Sequence, residues 1–114
     1  MNRSHLREIL NKLKKELDIP EGEKLRVELR PMKTKAASIS FKRKVIRINK
    51  NLIPTLDEDC IKYLILHELI HYKLKSTYHN SKFQKQLNRK INDTKIKELE
   101  RKIIINLLRL SNIF

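Results

Sequence analysis

From Thr55 to Leu74 the chain carries a helical pattern that is apolar nearly all the way round. Cys60, Ile61, Leu64, Ile65, Leu66, Leu69, Ile70 and Leu74 cover most of the circumference, and Lys62 and Lys73 mark only a narrow exposed strip. A helix of this kind is stable in water only when other elements enclose it, so the rest of the chain has to wrap around this segment. Its start is signalled by Pro54, then Thr55 with Glu58 three residues on, the pattern of a capping box, and Asp57 and Asp59 suit the positive end of the helix dipole. In its middle stand His67, Glu68 and His71, polar groups that are costly among apolar neighbours unless they are paired or bind a metal.

The flanking sequence supplies the wrapping. Leu6, Ile9, Leu10, Leu13 and Leu17 recur at helical spacing and stop at Ile19-Pro20-Glu21-Gly22, which predicts an amphipathic first helix. Leu25, Val27 and Leu29 alternate with charged residues, Ala37, Ile39 and Phe41 alternate with serines, and Val45-Ile46-Arg47-Ile48 follows the basic turn Lys42-Arg43-Lys44. These read as three short strands, the last two a hairpin. Ser76-Thr77-Tyr78 interrupts the long helix, and a further helix is expected from Asn80 or Ser81 with Phe83, Leu87 and Ile91 inward. A last helix from Thr94 carries Ile96, Leu99, Ile103, Leu107, Leu110 and Phe114 as one stripe, which Ile104, Ile105, Leu108 and Ile113 widen. The expected fold is α+β: an N-terminal helix and a small three-stranded sheet on the histidine-bearing helix, closed by C-terminal helices. With 114 residues and no linker or repeat, one domain over 1–114 is expected.

The charge balance narrows the classes of partner. Lys and Arg number 27 against 13 Asp and Glu, a formal charge of +14, which attracts nucleic acid or acidic surfaces through a salt-sensitive field. The charge is spread in short clusters, Lys33-Lys35, Lys42-Arg43-Lys44 and Lys82-Lys85-Arg89-Lys90, without aromatics placed to stack bases, so only weak, non-specific nucleic-acid association is expected. Cys60 is the single cysteine, which excludes an internal disulfide and a cysteine-based zinc site. No stretch reaches membrane-spanning length and Met1-Asn2-Arg3-Ser4-His5 leads into no secretory segment, so no membrane partner and a cytoplasmic location are expected. Abundant Ile, Lys and Glu with the single Gly22 is compatible with a heat-adapted protein.

His67-Glu68-Leu69-Ile70-His71 names a chemistry. Two imidazoles four residues apart share one side of a helix and can face one metal ion, and Glu68, about 100° round from His67, can take a proton from a metal-bound water. A catalytic zinc site needs a third protein ligand. His79, eight residues after His71, and Glu98 and Glu100 on the last helix are the candidates. Glu98 has Lys102 four residues on and is explained as a surface ion pair, Glu100 has no such partner and as an exposed residue needs none, and His79 is preferred because an imidazole this close to the motif suits zinc. Metzincin spacing does not apply, because Leu74 and Thr77 stand where that pattern needs glycine and histidine. Tyr72 and Tyr78 flank the ligands and are candidate oxyanion stabilisers, Tyr63 reads as a core or rim aromatic, and His5 as a solitary exposed residue.

Over essentially its whole length the chain resembles the minigluzincins, very small soluble zinc metallopeptidases that are similar to the catalytic domains of larger membrane peptidases. The likeness lies in the length, the first helix, the small sheet, the His67-Glu68-Leu69-Ile70-His71 helix and the downstream His79. It implies a zincin-like fold, Zn²⁺ held by His67, His71 and His79, and a hydrolase of peptides or unfolded proteins with Glu68 as catalytic base. It also implies that Glu98 and Glu100 belong to the closing helix, and that the full chain is a zymogen. Its C-terminal segment, about 94–114, would act as a latency or oligomerisation helix, folded over the chain's own cleft or exchanged with a second copy; the alternative is that this helix simply completes the core. The chain is also similar to SprT-like proteases, since His79-Asn80-Ser81-Lys82-Phe83 fits them. An opposing class is a basic, zinc-stabilised binding module that cuts nothing.

Overall fold

The computed structural model describes residues 2–113, the side chains of Asn112 and Ile113 excepted. Phe114, expected to end the apolar stripe, lies outside the described residues, as does the side chain of Ile113.

Helix α1 spans Arg3–Glu16; the Asn2 side chain caps it by accepting the His5 N–H at 2.9 Å, and it buries Leu6, Ile9 and Leu10. Three strands follow: β1 (Arg26–Arg30), β2 (Ala37–Ser40) and β3 (Val45–Asn49), in the order β1-β3-β2. β2 and β3 form the expected antiparallel hairpin, whereas β1 pairs with β3 in parallel. Period-two alternation is the same for either direction, so strand polarity could not be read in advance. The registers Val27↔Ile46, Leu29↔Ile48, Ile39↔Ile46 and Ala37↔Ile48 put the apolar side chains on one face, with Ile46 and Ile48 fully buried at its centre.

That face packs on α2 (Glu58–Leu74), which also touches α1, α3 and α4. Enclosure on all sides is what its apolar circumference demands: Ile61, Ile65, Leu69 and Ile70 are all essentially buried, each worth about 1.5–3 kcal/mol. Placing a carboxylate at Leu69 would break this arrangement, because it would leave an unpaired charge in the core. The start of α2 differs from the capping-box expectation. Pro54 sits in a 3₁₀ turn over Ile53–Thr55, the Thr55 hydroxyl donates back to the Leu52 carbonyl at 2.7 Å, and Asp57 is the cap, accepting the Cys60 N–H at 2.9 Å. The helix ends at Lys75 in the left-handed conformation, φ 51°.

After a loop, α3 (Ser81–Asn88) starts from Asn80, whose side chain accepts the Phe83 N–H at 3.1 Å, and buries Phe83 and Leu87. α4 (Asp93–Ile113) then crosses α2. Its first half belongs to the core through Ile96, Leu99 and Ile103, while Ile104, Ile105 and Leu108 lie exposed. Among the described residues no helix is long and apolar enough to cross a membrane.

Candidate metal centre

The mid-helix position of His67 and His71 sets their rings 4.9 Å apart, centroid to centroid, on one side of α2. The chain reverses after Lys75 and brings His79 back over them: its Nε2 lies 3.1 Å from His71 Nε2 and 3.1 Å from His67 Nε2. One ring nitrogen from each residue falls within 4.8 Å of the others. His71 Nδ1 lies 2.8 Å from the Ser76 carbonyl, and since a carbonyl only accepts, Nδ1 carries the proton and Nε2 presents its lone pair to the cluster. The Ser76 N–H donates in turn to the His71 main-chain carbonyl at 3.2 Å, which fixes the turn that carries the Ser76 carbonyl. Burial keeps the His71 pKa below the ordinary histidine value, with the other two imidazoles adding to the effect, and this favours the neutral form that binds metal.

Behind the nitrogens stands Phe83, fully buried, with ring centroids 4.9, 4.5 and 4.9 Å from those of His67, His71 and His79. Its position four residues after His79 was the only sign of this role in the sequence. Glu68 is almost wholly buried beside the cluster, its carboxylate 3.5 Å from His67 Nδ1.

The three imidazoles and Glu68 line one cavity of about 460 Å³. Its upper side is the edge strand β2 with Lys35 and Ala36 before it; the other side is Tyr63 and Leu64 of α2 with Glu100, Ile103 and Ile104 of α4. Grooves of about 600 and 610 Å³ lie elsewhere on the surface, and among the described residues neither contains a cluster able to hold a metal.

The remaining candidates separate. The Tyr72 hydroxyl donates to the Glu23 carboxylate, its ring lies under Lys75 Nζ at 3.3 Å, and it lines a small cavity with Ile19 and Pro20 rather than the cleft. Tyr78 points into solvent, 75% exposed, and is not among the cleft residues. The tyrosine that does line the cleft is Tyr63, one helical turn before His67; its hydroxyl donates to Glu100 Oε1 at 3.0 Å. Glu98 is paired with Lys102 at 3.3 Å, as its spacing implied. His5 is not solitary: it pairs with Glu58 and so links the first turns of α1 and α2.

A His-Glu-x-x-His helix beneath the open edge of a small sheet, with a third imidazole returning from the following loop, is the architecture of a zincin-type metallopeptidase. The chain belongs to the YgjP-like metallopeptidase domain family, whose model matches residues 2–102. It is 40% identical over 107 residues to the uncharacterised protein MJ0123 of Methanocaldococcus jannaschii, covering 94% of this chain and 96% of that one. Among solved structures it is similar to the metallopeptidase zymogen of M. jannaschii jannalysin, with 41% identity and TM-score 0.80 over 90% of this chain and 96% of that one. It is also similar to the metallopeptidase zymogen of Pyrococcus abyssi abylysin, with 28% identity and TM-score 0.81 over 90% and 95%. Membership of this family makes the protein a peptidase that works with a metal on peptide substrates.

Proposed function

We propose that the protein is a zinc-dependent endopeptidase in which His67, His71 and His79 hold Zn²⁺ and Glu68 is the catalytic base. The observation that carries this reading is the convergence of three imidazole nitrogens at the floor of a cleft that Glu68 also lines. Their 3.1 Å separations are close to the roughly 3.3 Å between nitrogens bound 2.0–2.1 Å from a tetrahedral zinc. Neutral imidazoles are also ligands that suit zinc, and lone pairs brought this close repel one another unless a cation lies between them. When bound, the metal supplies a Lewis acid that acidifies water and draws charge from a carbonyl. Glu68, desolvated and adjacent to His67, takes the proton of the attacking water and passes it to the leaving amine. β2, an edge strand along the cleft, receives an extended polypeptide by backbone pairing, which binds without regard to sequence.

The full chain is read as latent through the end of α4. Two similar proteins are zymogens, and Ile104, Ile105 and Leu108 present an apolar surface beside the cleft that another segment or a second copy would cover. If that cover is intermolecular, dilution relieves it by mass action and raises specific activity; equal activity and a monomeric state across the range would exclude the exchange. The peptidase reading itself is tested with Glu68→Ala: about one zinc per chain should remain while cleavage of casein disappears. Undiminished cleavage by that variant would sink the role of Glu68.

A further inference from the structure

Five carboxylates of this basic protein pair with Lys or Arg: Glu98 with Lys95 and Lys102, Glu28 with Arg26, Arg30 and Arg47, Glu23 with Lys44, Asp57 with Lys102 and Asp59 with Lys95. Glu100 is the carboxylate besides Glu68 that lines the cleft. It faces the metal cleft, is exposed, and among the described residues has no cationic side chain within 4.0 Å, although the chain carries 27 Lys and Arg. The Tyr63 hydroxyl holds its Oε1 at 3.0 Å. Burial above all, and then the Glu100 charge, pushes the Tyr63 pKa up, so this phenol stays protonated and remains a donor. One donor uses part of what a carboxylate can accept, and Oε2 is left with no protein partner among the described residues. One turn further along α4, Ile103, buried, and Ile104, 54% exposed, line the same cleft, as does Leu64 of α2. The cation that also lines the cleft, Lys35, precedes β2 and belongs to its upper side.

A fixed, unpaired carboxylate at the end of an aliphatic wall matches a cation on an aliphatic stem, whose methylenes lie against apolar surface while the charged head reaches the acid. We propose that the recess between α2 and α4 is a substrate subsite that takes a cationic nitrogen, that of a lysine or arginine side chain, on Glu100. This rests on the reading of the cleft as the peptide-binding site but not on turnover. Glu100 acts as a specificity residue: it neither holds the metal nor moves the proton. An α-ammonium at a peptide's N-terminus has the same chemistry, and the test separates the two.

The test uses the zinc-loaded, full-length Glu68→Ala chain, diluted until it is monomeric by light scattering so that no second copy covers the cleft, and fluorescence anisotropy with three labelled extended peptides. One is acetylated with a central lysine, one is acetylated with the uncharged norleucine in its place, and one has a free N-terminus and a central norleucine. The lysine peptide should bind about fivefold tighter than the acetylated norleucine peptide, the upper end for a solvent-accessible ion pair. Adding Glu100→Gln should bring that ratio to about one with zinc content unchanged. A preference for the free-terminus peptide that vanishes with Glu100→Gln would keep the subsite and assign it to α-ammonium groups. Equal affinities, a lysine preference that survives Glu100→Gln, or no binding by any peptide would overturn it. In parallel, the wild-type chain acting on casein should cut beside lysine or arginine. Lysine-dependent binding without any cleavage would sink the peptidase reading and leave the subsite standing.

Discussion

The three imidazoles reach one point by two routes. His67 and His71 are held by α2, which is capped by Asp57 at one end and Lys75 at the other and is packed on all but the narrow strip at Lys62. His79 stands in the exposed loop before α3, and what orients it is tertiary: the Ser76 turn behind it, the Asn80 cap after it and the Phe83 ring beneath it. A helix fixes two imidazoles by its repeat alone. A loop fixes one only through neighbours that come from elsewhere.

The difference can be pressed hardest at the ligands. Partners outside the metal's own ligand set are worth about 10–100-fold in affinity, so losing a ligand should cost more, over about 100-fold for His71→Ala in a chelator competition. His79→Ala should follow with a smaller loss, because two preorganised imidazoles remain. An unchanged affinity in His79→Ala would remove the loop from the site. Phe83 comes next. Phe83→Ala should cost about 3–5 kcal/mol of stability in denaturant titration, while Phe83→Leu keeps most of the volume and should instead lower zinc affinity by about 10-fold. If Phe83→Leu binds zinc as the wild type does, the ring is core and does not position the site.

The caps sharpen the contrast at smaller scale. Asn80→Ala should cost about 1 kcal/mol at any pH, since its amide does not titrate. Asp57→Ala should cost about as much near neutrality. The Asp57 carboxyl is held below its ordinary 3.8, first by the Cys60 backbone N–H and also by Lys102. With the folded value depressed, the unfolded chain binds the proton more readily, so this contribution is complete above 3.8 and fades as pH falls through the folded value. The gap between wild type and Asp57→Ala should therefore close in acid while that for Asn80→Ala persists.

Much of this was legible because it is periodic. The repeats of α1, α2 and the strands located the core, and the i, i+4 spacing of His67 and His71 placed two of the three imidazoles that converge in the cleft. What was not legible depends on direction or on distant neighbours. Pro54 diverted the start of α2 into a 3₁₀ turn, so the cap moved from Thr55 to Asp57. Tyr72 looked well placed by number, yet its hydroxyl is turned to Glu23; Tyr63, a turn further from the motif, is the tyrosine on the cleft. Glu100 carried no pairing signal, because its partner Tyr63 is 37 residues away.

The strand order has a consequence for the time course of folding. β2 and β3 are joined by a short turn and can zip as a hairpin within about 1–10 μs, whereas β1 reaches β3 only by closing a loop around that whole hairpin, which costs more chain entropy. The Asn49 side chain, fully buried at the end of β3, then ties that loop by donating to the carbonyls of Met32 and Lys35, both at 3.0 Å. β1 is therefore expected to dock late, after the strand that borders the cleft is in place, and pulsed hydrogen exchange during refolding that protects β1 amides together with those of β2 would refute this order.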